Sequence, residues 1–375
     1  MSPTSRRILV TGGAGFIGSH LVDALVSAGH RVRVLDLLEP QVHDVRPPPY
    51  LNPQAEYQWG DVRDREVVRA ALQGIEVVFH EAALVGIGQS MYQIERYVSM
   101  NTVGTAVLLE AIVNDRLPIK KLIVASSMSL YGEGQYVCSR CGPIAPALRP
   151  IEQLKAHHWE LRCSQCSQAA RPHPTPETKL LVPTSVYAIS KRDQEELCLA
   201  VGRSYGIPAV ALRYFNVYGP RQALSNPYTG VCAIFSARLK NRHRPLVFED
   251  GLQTRDFIHV RDVVQANLLV MADTRAEDQI YNVGTGTATA IRDISRVLAQ
   301  LYDVAMEPDV TSKYRAGDIR HCYADVTKLR ALGFQPSVIL ENGLRDLVTW
   351  GREVNADDQV ERAATELEIR GLTRG

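Results

Sequence analysis

The chain has almost no excess charge: 42 Lys and Arg stand against 41 Asp and Glu, a formal balance of +1. Without a basic surplus there is no electrostatic case for a nucleic-acid or membrane-surface partner. Long hydrophobic runs are missing as well. None approaches the roughly 20 residues needed to cross a bilayer, so no membrane partner is expected. No secretory core is visible, because residues 8–10 run straight into a glycine loop. Internal repeats and low-complexity tracts are lacking too. The expectation is a soluble, cytoplasmic protein, and its 375 residues are enough for one large or two modest domains. Cysteine is sparse, with seven residues. An odd number in a long intracellular chain argues against a disulfide framework.

What is present begins with Thr11-Gly-Gly-Ala-Gly-Phe-Ile-Gly-Ser19, placed after the apolar run Arg7-Ile-Leu-Val10 and before a helical pattern that stops at Gly29. Strand, glycine turn and helix form the context of a dinucleotide loop. Gly12 permits the tight turn, Gly15 lets backbone approach a pyrophosphate, and Gly18 lets helix pack on strand, while Phe16 and Ile17 open the helix. The helix start then offers free N–H groups and a positive dipole end. The next strand ends at Asp36, whose carboxylate suits a ribose 2′-hydroxyl and would repel a 2′-phosphate. NAD is therefore expected over NADP.

Strands and helices continue to alternate. Strands are expected near 56–59, 75–80, 121–126 and 209–213, with helices near 64–72, 90–112 and 186–205. This predicts an α/β fold with a doubly wound parallel sheet of Rossmann type. Residues 1–132 and 183–215 read as the NAD-binding domain, and 133–182 as an insertion. Residues 216–350 read mainly as a smaller substrate lobe, with 256–283 returning to the sheet. Residues 351–375 read as a charged tail, either an exposed helix or disordered.

Tyr187-Ala-Ile-Ser-Lys191 supplies the chemistry. Residues four apart share a helix face. An ammonium beside a phenol favours its ionised form, which otherwise appears only near pH ~10. The insertion holds Cys138-Ser-Arg-Cys141 and Cys163-Ser-Gln-Cys166, 21 residues apart. Two such knuckles predict a structural zinc with four sulfur ligands and no open position. His157 and His158, between the knuckles, are expected to face solvent. The insertion leaves just after Ser127 and returns just before Tyr187, so a metal-clamped flap covering or bordering the pocket is expected. Cys198, Cys232 and Cys322 read as packing residues. Glu81 either touches a ribose or faces solvent.

Taken together, Thr11–Gly18, Gly60-Asp61-Val62, His80-Glu-Ala-Ala83, Asn101, Ser126-Ser127, Tyr131-Gly132, Tyr187-x-x-x-Lys191, Asn216-Val-Tyr-Gly-Pro-Arg221, Arg255-Asp-Phe-Ile-His259 and Arg315-x-Gly-Asp318 resemble the extended short-chain dehydrogenase/reductase family, in its nucleotide-sugar epimerase/dehydratase branch. The resemblance covers about residues 6–350 apart from the insertion. It implies that Tyr187 is the acid/base, that Lys191 holds the nicotinamide ribose, and that Ser127 binds the reacting hydroxyl. Asp61 and Val62 would contact adenine, with Ala82, Ala83, Asn101 and Ser126 along the cofactor channel. Asn216, Arg221, Arg255, Arg315 and Asp318 would hold a nucleotide-diphosphate sugar, and arginine's fork of donors suits phosphate.

Two departures matter. Family dehydratases carry an acidic pair after the serine position, where this chain has Met128 and Ser129. Many hexose 4-epimerases have Lys where this chain has Val85. The resemblance thus implies NAD-dependent 4-epimerisation through a transient ketone. The implied substrate is dTDP-L-rhamnose, or alternatively a UDP-hexose or UDP-hexuronate. Two further readings are a 4-keto-sugar reductase, disfavoured by Asp36, and an inactive nucleotide-sugar sensor, disfavoured by the intact Ser127, Tyr187 and Lys191. A homodimer built on the helices near 90–113 and 186–205 is also implied.

Overall fold

The computed structural model describes residues 5–43, 46–144, 146–315 and 317–374. At its centre are seven parallel strands: β1 (Arg7–Thr11), β2 (Arg31–Asp36), β3 (Glu56–Trp59), β4 (Val77–His80), β5 (Lys121–Ser127), β6 (Ala209–Tyr214) and β7 (Gln279–Val283). Their spatial order is β7-β6-β5-β4-β1-β2-β3, with every neighbouring pair parallel. The strand order reverses between β1 and β4, which creates the crevice in which ligands of open α/β sheets bind.

Alternation along the strands feeds two cores. Ile8, Val10, Val77, Phe79, Ile123, Val210 and Leu212 pack on one face, with helices α1 (Phe16–Ser27) and α6 (Val260–Ala272). Leu9, Leu35, Val78, Leu122, Val124 and Ala211 pack on the other, with α2 (Arg65–Leu72), α3 (Gly104–Asn114) and α4 (Val186–Tyr205). A strand buried on both faces needs such near-continuous apolar sequence. The helical pattern expected near 90–112 is divided into short turns at Ile87–Ser90 and Ile94–Tyr97, a π-helical stretch at Val98–Val103, and then α3.

A second lobe packs α5 (Val231–Lys240), α7 (Ile291–Leu301) and α8 (Leu340–Glu353) around Phe235, Leu239, Ile294, Leu298, Leu344 and Leu347. In the insertion, strands Gly142–Ile144, Gln135–Cys138 and Ala170–His173 form an antiparallel sheet over a small core of its own. The tail departs from expectation. It forms α9 (Val360–Ile369), with Ala363 and Leu367 buried, then the strand Thr373–Arg374, which pairs with Tyr314–Arg315. Four apolar residues at helical spacing fix it to the body of the protein. No helix among the described residues is long and apolar enough to cross a membrane.

Candidate active site

A cavity of about 610 Å³ opens beyond the carboxyl ends of the parallel strands. Its floor is the glycine loop. Gly12 has φ +70°, and a Cβ there would lie 2.8 Å from Ala82 N, while one on Gly18 would lie 2.2 Å from Gly12 O. Only glycine leaves this cradle open. No side chain caps α1, and its first turn holds no acidic residue, so its N–H groups are available to an anion. Asp36 braces the loop by accepting from Ala14 N at 2.9 Å and Leu38 N at 2.8 Å. The donor cradle, the buried acid at the second strand end and the long cavity fit a dinucleotide.

Ser127, Tyr187 and Lys191 all line this cavity. The sequence fixes α4 locally: Ser185 Oγ accepts from Ala188 N at 3.1 Å, and Ser90 Oγ accepts from Tyr187 N at 3.0 Å. Ser127 Oγ accepts from Ser129 N at 3.1 Å and from Ser129 Oγ at 2.9 Å, which leaves its own proton to donate. Burial raises the Tyr187 pKa, and the hydrogen bond with Ser127 works against that rise. Sharpening of Tyr187 by Lys191 was expected. Lys191 Nζ donates to Gln194 Oε1 at 2.7 Å, one turn further along the helix, and stays on the same cavity wall as Tyr187. Burial holds Lys191 down to about 8, and the carboxylate of Glu81 pulls it back up. Two ammonium protons are not used by Gln194 and remain for a ligand hydroxyl.

Most of the sequence-predicted residues converge here. Gly12, Gly15, Phe16, Ile17, Gly18, Asp36, Val62, Ala82, Ala83, Ser126, Asn216, Arg255, Arg315 and Asp318 line the cavity. Ser126 Oγ also donates to Glu195 Oε2 at 2.6 Å. Asn216 Oδ1, Gln222 Oε1, Gln253 Oε1 and Arg315 Nε are buried with no hydrogen-bond partner in the protein, and all four residues are on the cavity wall. Buried polar atoms normally find partners, so this end is built for a polar ligand. Arg255 is partly committed, donating to the carbonyls of Thr254, Ile319 and Arg320 at 2.8–3.0 Å. Residue 316, inside the Arg315-x-Gly-Asp318 motif, lies outside the described residues.

Three residues expected at the site are not themselves on the cavity wall. Asp61 is held by the Arg63 guanidinium at 2.6 Å, which it reaches two residues along the chain. Asn101 is fully buried in the π-helical stretch. It accepts from Leu84 N at 2.8 Å and donates to Ser190 Oγ at 2.9 Å, so it braces the cavity loop against α4. Arg221 pairs with Asp23 at 2.7 Å and lies over the Tyr50 ring. Glu81 is also not solvent-facing. It lines the cavity and accepts from Tyr214 Oη at 2.8 Å, and burial pushes it up to about 7. The sequence reading missed Gln222, Gln253 and the tail residues Val360, Ala363, Ala364 and Leu367, all on the wall. The tail's i, i+3, i+4, i+7 apolar spacing was a usable signal.

In the insertion, the Sγ atoms of Cys138, Cys141, Cys163 and Cys166 lie within 4.8 Å of one another. Tetrahedral Zn–S bonds of about 2.3 Å separate sulfurs by roughly 3.8 Å, so the cluster fits such an ion. His157 and His158 are exposed. No described residue of 133–182 lines the cavity, so the insertion does not cover it. It reaches the site through a buried ion network. Arg149 pairs with Glu249 at 2.8 Å and donates to Asp318 O at 3.0 Å. Arg320 pairs with Glu249, Asp250 and Glu160 at 2.6–2.9 Å.

A phosphate-cradling glycine loop and a serine–tyrosine–lysine group opening on one cavity define an α/β enzyme of the dinucleotide-binding class. The chain belongs to the NAD dependent epimerase/dehydratase family, whose sequence model matches residues 8–150 and 161–284. It is 36% identical over 351 residues to a dTDP-L-rhamnose 4-epimerase from Burkholderia thailandensis, covering 92% of this chain and 94% of the relative. A UDP-glucose 4-epimerase from Thermotoga maritima, solved with UDP-glucose, is 32% identical with TM-score 0.75, covering 92% of this chain and 99% of that one. A UDP-glucuronic acid 4-epimerase from Bacillus cereus, in complex with UDP-glucuronic acid and NAD, is 26% identical with TM-score 0.76, covering 93% and 100%.

Proposed function

We propose that this protein is an NAD-dependent nucleotide-sugar 4-epimerase, acting on dTDP-L-rhamnose. One observation carries the reading: the glycine loop, the Ser127–Tyr187–Lys191 group and the unpartnered donors and acceptors at Asn216 and Arg315 all face a single cavity. The Burkholderia relative favours the dTDP-L-rhamnose assignment.

Bound NAD supplies a site that accepts a hydride from the sugar C4 and returns it. Asp36 holds the adenosine ribose, and the N–H groups at the start of α1 hold the pyrophosphate. Ser127 orients the C4 hydroxyl, and Tyr187 Oη takes its proton as the C–H bond breaks. Lys191 holds the nicotinamide ribose and stabilises the phenolate with a nearby positive charge. Asn216, Arg255 and Arg315 grip the diphosphate, so the sugar can present its other face without leaving. Tyr187 then gives the proton back to the C4 oxygen. Met128 and Ser129, where a dehydratase has acids, offer no group to expel a hydroxyl.

The four-cysteine cluster is assigned to a structural zinc. A homodimer is assigned to the face that exposes Ile94, Val98, Val103 and Ile189. Incubating the purified protein with dTDP-L-rhamnose, UDP-glucose and UDP-glucuronate tests the function. The C4 epimer of dTDP-L-rhamnose is the expected product, and conversion of none of the three would refute the reading.

A further inference from the structure

The tail closes the cavity from outside the catalytic sheet. Val360, Ala363, Ala364 and Leu367, one stripe of α9, line the cavity. The helix is latched at both ends of the opening. Near the catalytic side, Tyr228 Oη donates to Glu366 Oε2 at 3.0 Å and lies 2.8 Å from Tyr92 Oη, and the Arg370 guanidinium sits 4.1 Å over the Tyr92 ring. Near the Arg315 side, Lys313 pairs with Glu368, and Thr373–Arg374 forms a strand against Tyr314–Arg315. Before α9, Arg238 and His243 both hold Asp358.

The position of Leu367 gives the stripe its meaning. A Cβ on Gly88 would lie 3.2 Å from Leu367 Cδ2. Gly88 belongs to the turn Ile87–Ser90, whose Ser90 Oγ binds Tyr187 N at 3.0 Å. Leu367 therefore packs on the turn that seats the catalytic tyrosine, facing the sugar end of the cavity. Val85, Gly86 and Ile87 continue the wall there without a charge. Among the described residues, the lysines and arginines on the cavity wall are Lys191, at the tyrosine, and Arg255 and Arg315, at the diphosphate end. None is left at this wall for a carboxylate on the sugar.

We propose that α9 is a specificity wall of the sugar subsite, with Leu367 and Ala364 packing against an apolar C6 methyl. The wall admits 6-deoxy sugars, disfavours a C6 hydroxyl and excludes a C6 carboxylate. This inference rests on the epimerase reading and deepens it. Leu367 and Ala364 offer no polar side-chain atom to a hydroxyl held against them, and a single-group difference in an apolar pocket gives selectivity of roughly 10–200-fold.

The test compares kcat/KM of the full chain for dTDP-L-rhamnose and for its 6-hydroxy counterpart, in wild type and in the separate variants Leu367→Asn and Ala364→Ser. The wild type should favour the 6-deoxy sugar at least about tenfold. At least one variant should lower that ratio threefold or more, with bound NAD per chain and affinity for dTDP within twofold of wild type. A ratio that moves less than threefold in both variants overturns the wall. So does a ratio change accompanied by equal loss of NAD or dTDP binding, because the damage is then not local to the sugar. A wild type that epimerises neither sugar overturns the underlying function and the wall with it. Turnover of both sugars with an unmoved ratio overturns the wall alone.

Discussion

At Tyr187 two influences act in opposite directions: burial raises the phenol's pKa and the Ser127 hydrogen bond lowers it. A phenol that holds its proton this tightly depends on groups that stabilise its proton-free form, which in the proposed mechanism are Ser127 and the charge on Lys191. Tyr187→Phe should reduce kcat by about 10³-fold while the protein still purifies with NAD. Wild-type turnover, measured by product formation, would contradict the assignment. Lys191 is charged below about 8 and neutral above it, so kcat/KM should fall as pH rises through that value. Glu81 raises the Lys191 pKa, and removing its charge must therefore lower it. Glu81→Gln should move the alkaline limb of the pH profile to lower pH, and a limb that stays or moves upward would contradict the account. At this scale the sequence was legible where chemistry is local. Gly12 to Gly18 and Tyr187 to Lys191 are fixed by turn and helix spacing alone. It was less legible where a neighbour competes for the side chain: Arg63 takes Asp61, Asp23 takes Arg221, and Gln194 takes one Lys191 proton.

Among the elements, the insertion and the tail depart from their expected roles. The insertion, expected to cover or border the pocket, stays off the cavity wall and braces a residue on it. Glu133 accepts from Arg320 N at 2.8 Å, and Arg149 donates to the carbonyl of the cavity residue Asp318. The tail, expected as an exposed helix or disordered, is a helix that forms part of the wall. Neither was legible because each depends on partners a hundred residues or more away, such as Glu249 for Arg149 and Tyr228 for Glu366. Breaking one partner of a buried ion network costs about 3–5 kcal/mol. Arg149→Ala should lower unfolding stability by that order and raise KM for the nucleotide sugar more than it changes kcat. Chemical denaturation and steady-state kinetics check both effects. Stripping the proposed zinc from the cysteine cluster should likewise raise KM and leave kcat within about twofold, because no described residue of the insertion touches the cavity. Unchanged KM after complete metal loss would remove the bracing role.

For the whole molecule, the parallel sheet brings all seven carboxyl ends to one edge, and six of them line the cavity, through Gly12, Asp36, Gly60, Glu81, Ser127 and Tyr214. The exposed apolar residues Ile94, Val98, Val103 and Ile189 share the side formed by the turns before α3 and by α4. The proposed homodimer would use this side, where these side chains are exposed. Light scattering should give twice the 41.6 kDa chain mass, and Val98→Glu together with Ile189→Glu should shift it to the monomer. A wild-type monomer at micromolar concentration would contradict the dimer without touching the chemistry.

The chemistry itself is a closed cycle, in which the hydrogen removed from C4 returns to C4. The most direct measurement uses dTDP-L-rhamnose carrying deuterium at C4, with no added cofactor. The account predicts the C4 epimer with the deuterium kept on C4 and no net formation of NADH. Loss of the label to solvent, or consumption of cofactor in step with product, would contradict it.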